Sequence, residues 1–96
     1  MIKSLNKAIE ILELLKKNPS GCSLLQIYTT LGIPKSTAYG LLQTLLSKMY
    51  ILKDENSLYK LGPALIFLGK VAASQNKLQD IAYPILKNLT SEIKVD

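Results

Sequence analysis

Apolar residues recur at helical spacing in three consecutive stretches of the first half of the chain. The first stretch follows Ser4, a candidate N-cap, and ends at the breakers Asn18-Pro19-Ser20-Gly21. Its apolar positions are Leu5, Ala8, Ile9, Leu12 and Leu15. This spacing predicts an amphipathic helix that continues to about residue 17.

The second stretch is short, and its start and end are both marked in the sequence. Ser23 followed by Gln26 fits a capping box, in which each side chain bonds the backbone N–H of the other residue. Gly32 suits the left-handed residue that ends many helices. The apolar stripe between these two ends is Leu24, Ile27 and Leu31. A second helix is therefore predicted from Leu24 to Leu31.

The third stretch predicts a helix at about residues 34–48 with one apolar and one polar face. Pro34 suits its first turn, where the missing N–H leaves no hydrogen bond unmade. The predicted inner face is Ala38, Leu41, Leu42, Leu45 and Met49. The predicted outer face is Lys35, Ser36, Thr37, Tyr39, Gly40, Gln43, Thr44, Ser47 and Lys48. A helix entered from another helix through a tight glycine turn, with such an outer face, is typical of a DNA recognition helix.

A β-hairpin is predicted directly after this helix, at about residues 50–61. Residues 50–53 and 58–61 are β-prone, and the intervening Asp-Glu-Asn-Ser is typical of a turn. A two-stranded hairpin alone is marginal in water, so it must pack on the helices. The helices by themselves also fit a helical hairpin in a bundle, but the β-hairpin favours a different plan. The predicted fold class is mainly α with a small β-hairpin, a winged helix-turn-helix followed by a linker helix.

The linker helix, predicted to start after Gly62-Pro63, is apolar around most of its circumference over residues 64–74. A helix on the surface of a monomer needs only one apolar stripe, so a second apolar face needs a further partner. We expect this partner to be a second copy of the chain. The residues predicted to form the dimer contact are Leu65, Leu68, Val71 and Ala72.

The charge of the chain limits how it can read DNA. All twelve basic residues are lysines, and the formal net charge is +5. A basic balance favours a polyanionic partner, although on charge alone a solvated lysine surface explains it equally well. Because arginine is absent, the bidentate guanidinium contact to guanine is missing. Bases must then be read by Lys, Gln, Asn, Ser, Thr or Tyr.

The composition also argues against catalysis and against a membrane protein. The chain has no histidine and one cysteine, Cys22, which argues against a zinc site or a Cys–His nucleophile. We therefore expect no enzyme activity, no metal and no cofactor. The longest apolar run, residues 64–68, is far shorter than the ~20 residues of a membrane span. A single cysteine suits a reducing compartment, so the prediction is a cytoplasmic protein.

Candidate DNA contacts lie at the start of the third helix and in the hairpin. A charge, two hydroxyls and free N–H groups at the positive end of a helix favour phosphate, and the Gln43 amide suits adenine. The candidate contacts are Lys35, Ser36, Thr37, Tyr39, Gln43, Lys53 and Lys60. Alternatively, Ser36 and Thr37 support a helix cap, Tyr39 lies on the flank of the domain, and the two hairpin lysines are ordinary polar tips.

Two further positions have two interpretations each. Tyr59 alternates with Leu58 and Lys60, so it belongs either to the core or to the contact surface. Gly40, in the middle of a predicted helix, costs about 0.5–1 kcal/mol relative to alanine. It either allows close approach to a DNA backbone or is a tolerated imperfection.

Several segments resemble the IclR-type bacterial transcriptional regulators, in the order of that family. SLNKAIEILE at 4–13 resembles the opening helix, and LGIPKSTAYGLL at 31–42 is similar to the recognition-helix signature. YKLGPAL at 59–65 and the later Leu68-Gly69 resemble the end of the wing and the linker helix. AYPIL at 82–86 resembles the start of the second domain of the family.

This resemblance implies a dimeric repressor or activator whose winged helices bind double-stranded DNA at palindromic operators. It implies three segments: a winged helix-turn-helix at 1–62, a linker and dimerisation helix at 63–77, and the start of an effector-binding domain at 78–96. The last segment has an apolar stripe that includes Pro84 within its length, and no other part of the chain is predicted to pack against it. We therefore expect a fragment or a natural truncation, with a small-molecule effector bound only through the missing C-terminal domain.

Gly40 departs from the family pattern, which usually has a basic residue there, whereas Lys35, Ser36 and Thr37 match it. The resemblance therefore implies a DNA-contact role for those three residues and leaves the operator sequence open. The function predicted from the sequence is sequence-specific DNA binding by a dimeric transcriptional regulator. In this interpretation helix 34–48 enters the major groove, and wing 50–61 lies on the backbone or in the minor groove. The alternative is a winged-helix module that binds a protein partner and no DNA.

Overall fold

The computed structural model describes residues 1–76, which form four helices and one hairpin. In chain order these are α1 (Lys3–Lys17), α2 (Leu24–Leu31), α3 (Lys35–Ser47), β1 (Ile51–Lys53), β2 (Tyr59–Leu61) and α4 (Ala64–Gln75). Met1–Leu65 is one compact unit, and a second unit begins at Ile66. The predicted fold class is confirmed, because three helices are followed by an antiparallel two-stranded hairpin and a further helix.

One core joins the three first helices to the hairpin. Its fully buried members are Ile11, Leu15, Cys22, Ile27, Leu42, Ile51 and Tyr59. Burying a large apolar side chain stabilises the fold by roughly 1.5–3 kcal/mol, so the contributions of α1, α2, α3 and the hairpin add up in one cluster. Because α3 and the hairpin share this cluster, their positions relative to each other are fixed by packing.

The start of α1 differs from the prediction. Ile2, in an extended conformation, is the N-cap, and its carbonyl accepts a hydrogen bond from the Asn6 N–H at 3.0 Å. Ser4 therefore lies inside the helix and caps nothing. The prediction was wrong because a serine caps a helix only where the chain turns out of the helix at that residue.

The second helix and the turn after it follow the sequence closely. The Ser23 hydroxyl accepts from the Gln26 N–H at 3.1 Å, and the Gln26 carboxamide oxygen accepts from the Ser23 N–H at 2.9 Å. Gly32 ends the helix in the left-handed conformation, with φ 67°. Pro34 is the N-cap of α3 rather than part of its first turn, so α3 starts one residue later than predicted.

The end of α3 contains a second correction, at Met49. Ala38 and Leu42 are buried as predicted, but Met49 is 48% exposed. Met49 has φ 62°, its N–H donates to the Leu46 carbonyl, and the next N–H, of Tyr50, donates to the Leu45 carbonyl. This is the Schellman arrangement, which turns the chain away from the helix axis before Met49 reaches the inner face.

The hairpin is short and packs on the helices as expected. Strand β1 pairs antiparallel with β2, and the pairs are Ile51 with Leu61, Leu52 with Lys60, and Lys53 with Tyr59. Tyr59 is 1% exposed, which decides between its two interpretations in favour of the core. Its backbone also forms a bridge to Cys22, in the segment that connects α1 to α2.

No described residue of α4 is buried. Of the residues predicted for dimerisation, Leu65 is half-buried, and Leu68, Val71 and Ala72 are exposed. The apolar stripe around Pro84 and the predicted domain start at residue 78 lie outside the described residues. No helix among residues 1–76 combines the length and apolar content needed to cross a membrane.

Candidate nucleic-acid interface

The outward face of α3 carries the predicted contact residues at the spacing the helix imposes. At about 100° per residue, Ser36 and Gly40 lie nearly opposite the buried Ala38. Lys35 and Tyr39 lie along one flank, and Thr37 lies on the other. Gln43 lies in the row of Lys35 and Tyr39 and closer to the middle of the exposed face, and all the predicted contacts of this helix are exposed.

The first turn of α3 leaves its donors available. Pro34, the N-cap, has no side-chain hydrogen-bonding group, and the first helical bond runs from the Ala38 N–H to the Pro34 carbonyl at 3.1 Å. The N–H groups of Lys35, Ser36 and Thr37 therefore have no acceptor among the described residues. The interpretation of Ser36 and Thr37 as capping residues is wrong, since α3 has no side-chain cap.

An open groove of about 510 Å³ lies between α2, the start of α3 and the hairpin. It brings together three predicted contacts, Lys35 and Tyr39 from α3 and Lys53 from the hairpin. Its other lining residues are Ser23, Leu24, Leu25, Tyr28, Asn56, Ser57 and Tyr59. Helix, turn and wing therefore contribute to one concave surface.

The groove is positively charged and lined by hydrogen-bonding groups. Lys35 and Lys53 are its cations, and no carboxylate lines it. Among residues 1–76 neither lysine has an ion-pair partner. The Lys53 ammonium lies 5.4 Å from the centroid of the Tyr59 ring, a cation–π contact that directs it along this surface. Such a groove suits a phosphate backbone.

Four predicted contacts do not line this groove. Ser36, Thr37 and Gln43 lie on the outward face of α3, beside it. Lys60 is in a different environment, because its ammonium forms an ion pair with the Asp54 carboxylate at 3.2 Å.

Two groove residues, Ser23 and Tyr28, do not stand out as contacts in the sequence. Ser23 is identified there only as a helix cap, and it lines the groove because α2 starts at the groove wall. Tyr28 lies at the edge of the apolar stripe of α2, one turn after Leu24, and is half-buried. A polar aromatic residue beside a buried stripe is the one signal that could have identified it.

The polar side chains on α3 differ in whether they already form a hydrogen bond within the protein. The Thr44 hydroxyl donates to the Gly40 carbonyl at 3.1 Å, and the Ser47 hydroxyl donates to the Thr44 carbonyl at 2.6 Å. Both are therefore engaged by the helix backbone. The Gln43 amide has no hydrogen bond to the described residues, and nothing lies within 4 Å of where a Cβ on Gly40 would be. The middle of the outward face therefore has no side chain at Gly40, and the free amide of Gln43 lies beside it.

Two titratable groups near the interface are perturbed. The Leu58 backbone N–H, helped by the Asn56 N–H and Lys60, holds the pKa of the Asp54 carboxyl below its ordinary value. Burial raises the pKa of the Cys22 thiol, which keeps it protonated at neutral pH. Asp54 is therefore ionised and Cys22 is neutral under ordinary conditions.

A helix-turn-helix arrangement, a hairpin and a shared cationic groove agree with a family match in the sequence. Residues 4–55 match the IclR helix-turn-helix domain. The chain belongs to the IclR family of transcriptional regulators. Its α2, Gly32 turn and α3 are the helix-turn-helix of this IclR domain, which is a DNA-binding type of domain.

Curated relatives in the IclR family are bacterial regulators. The chain is similar to the uncharacterised HTH-type transcriptional regulator RhmR of Escherichia coli (strain K12), with 38% identity over 88 residues, 92% of this chain and 34% of that protein. It is also similar to the glycerol operon regulatory protein of Streptomyces coelicolor, with 34% identity over 79 residues, 81% of this chain and 31% of that protein. The chain spans about a third of the length of these relatives. Both are named as regulators.

Solved IclR structures have the same fold. The crystal structure of an IclR regulator from Alicyclobacillus acidocaldarius is 30% identical, with a TM-score of 0.78 over 94% of this chain and 37% of that chain. The IclR of Thermotoga maritima is 28% identical, with a TM-score of 0.71 over 96% of this chain and 37% of that chain. The winged-helix fold of this chain is therefore that of the IclR DNA-binding domain.

Proposed function

We propose that this chain binds double-stranded DNA sequence-specifically and acts in transcriptional regulation. The observation that carries the proposal is the groove, where Lys35 and Lys53 meet with no carboxylate in the lining. Two cations without an ion-pair partner among residues 1–76, contributed by separate elements to one concave surface, favour a polyanionic ligand. In this proposal one DNA strand follows the groove.

In this mode α3 enters the major groove. Support comes from the free N–H groups of its first turn, which suit a phosphate at the helix N-terminus. Ser36, Thr37 and Tyr39 contact the backbone, and Gln43 contacts base edges through its amide. The wing contacts the DNA backbone or the minor groove through Lys53. A DNA contact by Lys60 remains a prediction from the sequence alone.

We further propose that two copies act together on a palindromic operator. The support is α4, where no described residue is buried and the exposed apolar residues are Ile66, Phe67, Leu68 and Val71. Two recognition helices related by a two-fold axis read half-sites about one helical turn apart, or a multiple of this. The segments 63–77 and 78–96 serve as dimerisation helix and domain start in this proposal.

The test begins with the DNA sequence itself. Duplexes enriched from a random library by the chain define a site, which is then titrated by fluorescence anisotropy at several salt concentrations. The logarithm of the association constant should fall with the logarithm of salt, by about 0.9 per phosphate neutralised. A scrambled duplex of equal composition should bind more weakly.

Two matched charge-reversal variants test whether the groove is the DNA-binding surface. Lys35→Glu removes a groove cation and adds a like charge beside phosphate, so we expect binding to weaken by roughly tenfold or more. Lys17→Glu makes the same charge change in the last turn of α1, outside the groove, and should have a much smaller effect. No enrichment and no salt dependence would reject DNA binding and leave the protein-interaction module as the function to test.

A further inference from the structure

The two lysines of the wing lie on opposite faces of the hairpin. Lys53 is paired with the buried Tyr59, and Lys60 is paired with Leu52. Opposed residues in an antiparallel pair share a face, and successive residues alternate between faces. Lys53 is therefore on the face that contributes to the groove, whereas Lys60 is on the other.

Asp54 connects the wing turn to Lys60. Its Oδ1 accepts hydrogen bonds from the Asn56 N–H at 2.8 Å and the Leu58 N–H at 3.0 Å. Its Oδ2 forms the ion pair with the Lys60 Nζ at 3.2 Å. One oxygen therefore shapes the turn while the other neutralises a lysine, and the side chain is 25% exposed.

The aliphatic part of the Lys60 side chain packs against Gly21. A Cβ on Gly21 would lie 3.2 Å from both the Cγ and the Cε of Lys60. Gly21 has φ 104°, a conformation that other residues rarely adopt. The lysine stem therefore packs against the backbone of the segment before α2 at Gly21, where the Leu58 Cβ, at 2.8 Å, would be the nearest neighbour of an added Cβ.

We propose that Asp54 is a positioning residue that makes the wing present one cation to DNA, Lys53, and keeps Lys60 neutralised on the opposite face. This rests on the proposed function, since it concerns the same DNA-binding surface. A surface ion pair alone is weak and would yield to a phosphate. Packing of the Lys60 stem against Gly21 strengthens this pair by keeping the ammonium beside Asp54, and without the Asp54 charge Lys60 becomes available to phosphate.

Three variants, each titrated on the enriched duplex at several salt concentrations, test the proposal. Lys53→Gln should lower the salt slope by about 0.9, because one phosphate contact is lost. Asp54→Asn combined with Lys60→Gln replaces the ion pair by a neutral pair without changing net charge, and its slope should equal that of the parent. Asp54→Asn alone keeps a side-chain oxygen for the turn but releases Lys60, so its slope should rise.

The outcomes separate this inference from the proposed function. If the parent chain shows no salt-dependent DNA binding, the proposed function fails and this inference fails with it. If the parent binds and the double variant loses as much slope as Lys53→Gln, Lys60 contacts phosphate and the inference is overturned. An unchanged slope for Asp54→Asn alone also overturns it. Urea unfolding of each variant checks that the wing stays folded.

Discussion

Cys22 and Tyr59 exchange two backbone hydrogen bonds, at 3.0 Å from the Cys22 N–H and 2.8 Å from the Tyr59 N–H. This bridge attaches the segment between α1 and α2 to the second strand of the wing. A two-stranded hairpin is marginal by itself, so a third stretch of backbone along β2 stabilises it. The same bridge helps to place the Tyr59 ring in the core and to determine which face of the hairpin points towards α3.

Replacing two of the three groove tyrosines, Tyr59 and Tyr39, by alanine should separate stability from binding. Tyr59→Ala removes a fully buried ring and should lower the free energy of unfolding by about 3–5 kcal/mol. Tyr39→Ala removes a ring that is 49% exposed and should change stability by about 0.5 kcal/mol or less, while weakening DNA binding. Urea unfolding and anisotropy measure the two effects. A large loss of stability in Tyr39→Ala would contradict its place on the surface.

Alanine at Gly32 and at Gly40 should change stability in opposite directions. Neither position has an atom within 4 Å of the new Cβ, so packing does not distinguish them. Gly32 has φ 67°, and alanine there should cost about 1–2 kcal/mol. Gly40 lies within α3, where alanine should stabilise by about 0.5–1 kcal/mol. Thermal or urea unfolding of the pair tests this; equal signs would disprove the backbone argument.

The Gly40→Ala variant also tests the two interpretations of this glycine. If DNA approaches the α3 backbone closely at Gly40, the added methyl group should weaken binding although the protein becomes more stable. If the glycine is only tolerated, binding to the enriched duplex should be unchanged. Gly69→Ala is the matched control, because it lies in α4 with the same open surroundings.

Asp54 should make the stability of the wing depend on acid pH. Its ordinary pKa is 3.8 and its pKa in the folded chain is lower, chiefly because the Leu58 N–H bonds the carboxylate. Its contribution is thus fully present above the unfolded value of 3.8 and is lost as pH falls through the folded pKa. The difference in unfolding free energy between the parent and Asp54→Asn should therefore be smaller below pH 3.8 than at neutral pH. A difference that grows on acidification would contradict the assignment.

The exposed apolar residues of α4 should control the oligomeric state. Leu68→Lys places a charge on a side chain that is 50% exposed and apolar, and it should shift the chain towards the monomer mass in sedimentation equilibrium. Ser74→Lys adds the same charge to the same helix at an exposed polar position and should leave the mass unchanged. An identical dimeric mass for both variants would remove α4 from the dimer contact.

Local signals in the sequence were sufficient for most of the helix-turn-helix. The capping box at Ser23, the left-handed Gly32 and the turn residues of the hairpin each act over a few residues, so their geometry can be predicted without knowing the fold. The same locality explains the errors at the helix ends. Ser4 and Met49 fit a local pattern, but the backbone capping at Ile2 and the Schellman turn at Met49 override it.

The sequence by itself determined the order of the elements, the polar face of α3 and the lysine-only charge that any DNA contact must use. Its period of two in β2 also placed Tyr59 and Lys60 on opposite faces. Which face is buried was decided only by tertiary structure, through the bridge to Cys22 and the shared core. The same packing brings Lys35 and Lys53 into one groove, because residues distant in the chain become neighbours only once the core has fixed the elements that carry them.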